Sequence, residues 1–241
     1  MTKIILAGGF GKLGEAIQNG LKADYEIVGI LSGHQHDSDI PVWTSLADID
    51  VSADIWLDVS TPATVYENAQ YAIAHHMALV IGATGLSDAQ VTHLKASATN
   101  GILIVPNFSL SAVLLMQFSK TAAQYFPDVE IVEAHNPKKV DSPSGTAKQT
   151  ARMIASSRQK APAQTSVGEA RGERVHDVPV HAMRLPGYIA QQTVYFGGID
   201  EQLTLSQSTT SRAAFVPGVI MALNAVTKLD HLVIGLDQLL D

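Results

Sequence analysis

The chain has 241 residues, enough for one large or two smaller folded domains, with 23 acidic against 16 basic residues and a net charge of −7. No Lys/Arg-rich run marks a phosphate-backbone footprint, so nucleic acid is not expected as a partner. Zero cysteines exclude a disulfide framework, thiolate metal sites and cysteine nucleophiles; they fit a reducing cytoplasm, and redox chemistry would need a bound cofactor.

The N-terminus, Met-Thr-Lys-Ile-Ile-Leu-Ala-Gly-Gly, is too short in apolar length for a signal peptide and reads as a first strand. Within it Lys3-Ile4-Ile5-Leu6-Ala7 runs straight into Gly8-Gly9-Phe10-Gly11-Lys12-Leu13-Gly14, after which Leu13, Ala16, Ile17 and Leu21 mark a helix face. In a strand, turn and helix of this kind, Gly8 and Gly11 let backbone approach a pyrophosphate and Gly14 lets the helix pack close to the strand. Alone, the spacing also fits a plain tight turn. Glu26-Ile27-Val28-Gly29-Ile30-Leu31 supplies the second strand that a dinucleotide-binding βαβ unit requires. It ends on Ser32, Gly33 and His34 instead of the carboxylate that would meet an NAD ribose, and Asp37 comes late. A ribose 2′-phosphate would not be repelled there; His34 and His36 are either its partners or two surface histidines of a polar loop.

Three further strands are predicted at Asp54-Ile55-Trp56-Leu57-Asp58-Val59, Ala78-Leu79-Val80-Ile81 and Ile102-Leu103-Ile104-Val105, with helices marked by Val65, Ala69, Ala72 and Ile73, then by Val91, Leu94 and Ala98. Buried strands alternating with amphipathic helices imply an α/β fold, a Rossmann-like doubly wound parallel sheet. Ligands then bind beyond the carboxyl ends of the strands, at Ser60-Thr61-Pro62, Gly82-Ala83-Thr84-Gly85 and Val105-Pro106-Asn107-Phe108. Residues 96–119 carry no charge, but Thr99-Asn100-Gly101 and Val105-Pro106-Asn107 break them into short pieces, so no membrane helix is expected.

After Phe108 the pattern changes. Leu110, Leu114, Leu115, Phe118, Ala122 and Tyr125 trace a helix, Val129, Ile131 and Glu133 an alternating strand, and residues 157–177 a mobile polar excursion. Val180 to Arg184 follows, then a hairpin of Gln192-Thr193-Val194-Tyr195-Phe196 and Gln202-Leu203-Thr204-Leu205-Ser206. A second α+β domain on an open mixed sheet is expected, its open face covered by its own helices or by another subunit, so a homo-oligomer, taken as a homotetramer, is the expectation. Pro217-Gly218 starts a last helix carrying Val219, Ile220, Leu223 and Val226, and the apolar run from Leu232 to Leu236 packs rather than dangles. The domains read as 1–107 completed by 217–241 for dinucleotide binding, and 108–216 for substrate binding and oligomerisation.

Residues 133–147, Glu-Ala-His-Asn-Pro-Lys-Lys-Val-Asp-Ser-Pro-Ser-Gly-Thr-Ala, hold most of the polar groups that chemistry could use. His135 and Lys139 could present an imidazole and an ammonium to one space. Ser144-Gly145-Thr146 opens a helix with Ala147, Ala151, Ile154 and Ala155 on its apolar face, so its first N–H groups suit a carboxylate. Taken singly, these residues also fit a turn, a helix cap, a surface lysine and a strand histidine.

Taken together, the string resembles the signature of the dihydrodipicolinate (4-hydroxy-tetrahydrodipicolinate) reductase family, Glu-x-His-His-x-x-Lys-x-Asp-x-Pro-Ser-Gly-Thr-Ala, with Asn136 in place of the second histidine. The resemblance extends to the glycine turn, the Gly-Ala-Thr-Gly loop, Pro-Asn-Phe-Ser and Arg-Ala-Ala-Phe-Val-Pro-Gly. It implies His135 and Lys139 as the catalytic pair, Asn136, Ser144, Gly145 and Thr146 as substrate contacts, and no metal. It implies coenzyme contacts at Gly8, Gly9, Phe10, Gly11, Lys12 and Leu13, and at Gly82, Ala83, Thr84, Val105, Pro106, Asn107 and Phe108. The implied reaction is hydride transfer from NADPH or NADH to a cyclic imine dicarboxylate in lysine and diaminopimelate biosynthesis, with the terminal segment returning to the coenzyme domain and two crossings acting as a hinge. Asn136 cannot bring positive charge, which leaves room for a dehydrogenase of another small dicarboxylate or imino acid. A dinucleotide sensor would need neither His135 nor Lys139.

Overall fold

Thr2–Ala7 forms strand β1, and its last four residues are wholly buried in the computed structural model, which describes residues 1–21, 24–160, 162–163 and 168–240. Helix α1 (Lys12–Gly20) leads to β2 (Tyr25–Leu31) and the short edge strand β3 (Val42–Trp43). Then come β4 (Ile55–Asp58), α2 (Val65–Ala74), β5 (Ala78–Ile81), α3 (Asp88–Ser97) and β6 (Ile102–Ile104). After an intervening segment, α4 (Leu110–Ala122), β7 (Asp128–His135), α5 (Gly145–Ser157), β8 (Glu173–Val175), β9 (Val178–Arg184), β10 (Ala190–Gly197) and β11 (Gln202–Thr209) follow. The chain closes with α6 (Val216–Val226) and β12 (Leu232–Ile234).

Two compact units result, Met1–Phe108 with Arg212–Asp241, and Ser109–Ser211. In the first, seven parallel strands lie in the order β12-β6-β5-β4-β1-β2-β3. β4 and β5 are buried on both faces, as is β1 from Ile4 to Ala7, and apart from Asp58 these buried residues are apolar, as strands covered on both sides must be. Because β1 is flanked by β2 and β4, the chain direction of winding reverses beside it, opening a crevice at the carboxyl ends of these strands. The 3-10 turn Arg212–Phe215 packs against α1, which groups residues 212–216 with this unit, and Phe108 joins it by laying its ring over Gly82.

The second unit is a mixed five-stranded sheet, β11-β10-β7-β9-β8, in which β7 and β9 are parallel and the other neighbours antiparallel. Val129, Ile131, Val180, Val194 and Phe196 form its core with Leu115 of α4 and Ala147, Ala151 and Ile154 of α5. The α4 face matches the expected one at Leu115 and Ala122 and differs elsewhere. Ala112, Leu115, Ser119 and Ala122 are buried, whereas Leu114, Phe118 and Tyr125 are 39%, 55% and 75% exposed. Small side chains allow α4 to approach α5, so packing selects them over the larger apolar residues.

Part of the expected 157–177 excursion is regular structure. Glu173–Val175 is β8, joined to β9 by His176 and Asp177, both in the left-handed region that a two-residue hairpin turn of this type requires. Residues 161 and 164–167 of that stretch lie outside the described ones.

Candidate active site

In the first unit, a cavity of about 580 Å³ opens at the carboxyl ends of β1, β2 and β4. Gly8, Phe10 and Gly11 form one wall, Ser32, Gly33, His34 and His36 a second, and Ser60, Thr61 and Thr64 a third. Gly8 has φ +84° and Gly14 would put a Cβ 2.3 Å from the carbonyl oxygens of Gly8 and Gly9, so turn and helix need glycine at both places. Helices α3, α4 and α5 are preceded by serine caps at Ser87, Ser109 and Ser144, whereas α1 is preceded by Gly11 and has no side-chain cap. Its first-turn amides, at Lys12 and Leu13, therefore suit a diphosphate, and the residues present fit a dinucleotide. His36 stacks on Phe10 with ring centroids 3.8 Å apart, pinning the loop after β2 to the glycine turn.

Gly9 packs against Ile30. The other expected coenzyme residues sit outside this cavity. Gly82, Ala83 and Thr84 follow β5, and the Gly82 and Ala83 amides donate to the Asp58 carbonyl at 2.7 and 3.2 Å. Val105, Pro106, Asn107 and Phe108 follow β6, with the Val105 amide donating to the Ile81 carbonyl at 2.7 Å.

Asp58 was legible only as a strand residue, yet it organises the third wall. Its buried carboxylate accepts from the Trp56 indole at 3.2 Å, the Ser60 amide and hydroxyl at 3.0 and 2.6 Å, and the Asn68 amide at 2.8 Å. A buried carboxylate is tolerated when donors surround it in this way, and here the donors fix the loop that starts at Ser60.

In the second unit the residues of the 133–147 string are brought together at the end of β7. His135 is the last strand residue; Asn136 then turns the chain, its side-chain oxygen accepting from the Lys138 amide at 3.1 Å and its carbonyl from the Lys139 amide at 3.0 Å. The Lys139 ammonium meets Asp141 at 2.8 Å and holds the Asp141 carboxyl below its ordinary range, chiefly through that hydrogen bond. Ser144 is buried and occupied, its hydroxyl accepting from the Ala147 amide at 3.1 Å and its own amide donating to Glu133 at 3.0 Å. Gly145 opens α5, and a Cβ there would meet no atom within 4 Å. The chain's own packing leaves room there for a ligand to approach the helix start.

Glu133 and Arg184 were missed as site residues. The Glu133 side chain is wholly buried; Arg184 grips it with two donors, each at 2.9 Å, and the His135 Nδ1 lies 2.5 Å from it. Burial alone would raise the Glu133 carboxyl, but the hydrogen bonds from His135, Arg184 and the Ser144 amide outweigh it and hold the carboxyl low. One sequence signal existed: Glu133 shares the buried face of Val129 and Ile131, and a carboxylate on such a face needs a partner.

The dihydrodipicolinate reductase N-terminus matches residues 2–108, and the dihydrodipicolinate reductase C-terminus matches residues 111–240. The chain belongs to the dihydrodipicolinate reductase family. The 4-hydroxy-tetrahydrodipicolinate reductases of Limosilactobacillus fermentum and Lactobacillus acidophilus are each 43% identical to it, over 100% of this chain and 100% and 99% of theirs. A dipicolinate-bound dihydrodipicolinate reductase from Paenisporosarcina sp. TG-14 superposes with a TM-score of 0.88 at 34% identity, covering both chains completely. As a member of the dihydrodipicolinate reductase family, the protein is an NAD(P)H-dependent oxidoreductase with a Rossmann-like first unit.

Proposed function

We propose that residues 135–146 bind and protonate the ring that NAD(P)H reduces, with the coenzyme held by the first unit. The protein reduces 4-hydroxy-tetrahydrodipicolinate/dihydrodipicolinate to tetrahydrodipicolinate in lysine and diaminopimelate biosynthesis. The observation that carries the residue roles is the single loop on which His135, Lys139 and the start of α5 are gathered above a buried ion pair.

The reduced nicotinamide, when bound, supplies the hydride. Gly8, Gly9, Phe10, Gly11, Lys12 and Leu13 cradle the diphosphate end, and Gly82, Ala83, Thr84, Val105, Pro106, Asn107 and Phe108 shape the nicotinamide end. Gly145 and Thr146 at the α5 start and the Asn136 amide hold a substrate carboxylate. Lys139 has three donors, so its ammonium can keep Asp141 and still stabilise charge on the substrate. His135 delivers the proton. With Ser144 engaged as cap and anchor, its part is to fix the helix start.

The working form is a cytoplasmic homotetramer. Support comes from the second face of the mixed sheet, where Val132, His181, Tyr195 and Thr204 surround a cavity of about 1130 Å³ and Tyr195 is 47% exposed. No helix among the described residues is long and apolar enough to cross a membrane.

Asn136 favours one second reading, a dehydrogenase of another small dicarboxylate or imino acid, because an amide, which cannot bring positive charge, stands where the family signature has a histidine. Adding the purified protein to reduced coenzyme and freshly made cyclic substrate, and following coenzyme oxidation, tests the first reading. Faster oxidation with an open-chain imino acid would favour the second.

A further inference from the structure

We infer that Glu133 and Arg184 are positioning residues for the reaction, Glu133 by fixing the ring of His135 with its proton on Nδ1, and Arg184 by fixing the loop that carries Lys139. The inference rests on the reductase reading for its kinetic consequences, but its geometry is independent of it.

An ionised carboxylate can only accept hydrogen bonds, so the His135 nitrogen 2.5 Å from Glu133 must be the donor. That choice leaves Nε2 as the nitrogen for the substrate side, the arrangement in which a second group sets the tautomer and direction of a proton-transferring imidazole. Low carboxyl affinity for protons keeps Glu133 in the accepting state through neutral pH, burial notwithstanding. The ring is 15% exposed, so one edge is held and the other is not sealed.

Arg184 does more than neutralise Glu133. Besides the two-pronged contact, its guanidinium donates to the carbonyls of Lys139 at 3.3 Å and Asp141 at 2.7 Å, and to Met183 at 2.7 Å. One planar cation therefore ties the buried carboxylate under His135 to the backbone on both sides of Val140. Glu133 binds the Ser144 amide as well, so the imidazole, the Lys139 segment and the α5 start share one anchor. The cross-strand partners of Glu133, Gln192 on β10 and Ala182 on β9, are uncharged, and the other charged groups on the loop are Lys138, Lys139 and Asp141.

The test uses the full-length protein labelled with ¹⁵N in its histidines. In the wild type the His135 ring should show its proton on Nδ1 at neutral pH; a proton on Nε2 with bare Nδ1 overturns the inference, whether or not the protein reduces the cyclic substrate. Glu133→Gln, which preserves shape, should lower kcat ten- to a hundredfold with KM within about threefold, because the ring loses the acceptor that fixes its direction while the substrate contacts stay. Wild-type kcat in a folded Glu133→Gln overturns the Glu133 part. Arg184→Lys keeps the charge but not the fork and should cut kcat/KM at least tenfold; an unchanged value overturns the Arg184 part. An inactive wild type with the Nδ1 proton in place would instead count against the reductase reading alone.

Discussion

At the scale of single residues, the proposed roles give neighbouring side chains of the loop different tasks. Proton delivery by a positioned group contributes about 10²–10⁴-fold in rate, so His135→Ala and Lys139→Ala should lower kcat by that order when substrate saturates. Thr146→Val should chiefly raise KM, because one charge-assisted hydrogen bond contributes roughly 1.5–3 kcal/mol to holding a carboxylate. Near-normal turnover in both alanine variants would remove the string from catalysis. Glu133 also sets an acid limit on stability. Its carboxyl titrates lower in the folded protein than its ordinary 4.5, so its contribution is fully present above that value and is lost as pH falls through the folded value. The melting temperature of the wild type should therefore exceed that of Glu133→Gln at pH 6, with the gap narrowing on acidification below about 4.5. A gap that stays constant from pH 6 to pH 3 would contradict this.

At the scale of elements, the proposed coenzyme site lies where α1 starts and β2 ends, and the end of β2 carries the prediction on coenzyme choice. Neither Ser32, Gly33 nor His34 places a carboxylate at the end of β2, and the cavity wall there is made of hydroxyls and imidazoles, although Glu67 stands elsewhere on its lining. NADPH should bind at least as well as NADH; titration of both against the coenzyme-free protein checks it, and an NADH preference above tenfold, about 1.4 kcal/mol, would refute it. The α4–α5 contact offers a second check. Leu115→Ala should cost about 2–5 kcal/mol of unfolding free energy by leaving a cavity, and Phe118→Ala much less, as read by denaturant unfolding. The position of this helix was legible from its apolar run between Ser109 and Ala122, but its buried side was not. Hydrophobic ranking places Leu114 and Phe118 above Ala112 and Ser119, while the closeness of two helices depends on what the partner presents.

At the scale of the whole molecule, the proposed tetramer predicts a species near four times 25.7 kDa in sedimentation velocity. Val132→Asp, on the second face of the mixed sheet, should shift the population toward smaller species and make the melting temperature depend on protein concentration. A monomer at micromolar concentration would refute the assembly. The sequence by itself determined the alternation of buried strands and helices, hence the doubly wound sheet, together with the glycine turn and the string at 133–147, because each of these is written in periods of two, three or four residues along the chain. Tertiary structure alone decided that Arg184, 51 positions away, would neutralise Glu133. That pairing exists because β9 lies parallel beside β7 with Ala182 opposite Glu133 and Arg184 opposite His135. Strand register is a non-local property, set by how two distant segments bury their apolar faces together, and no local spacing encodes it.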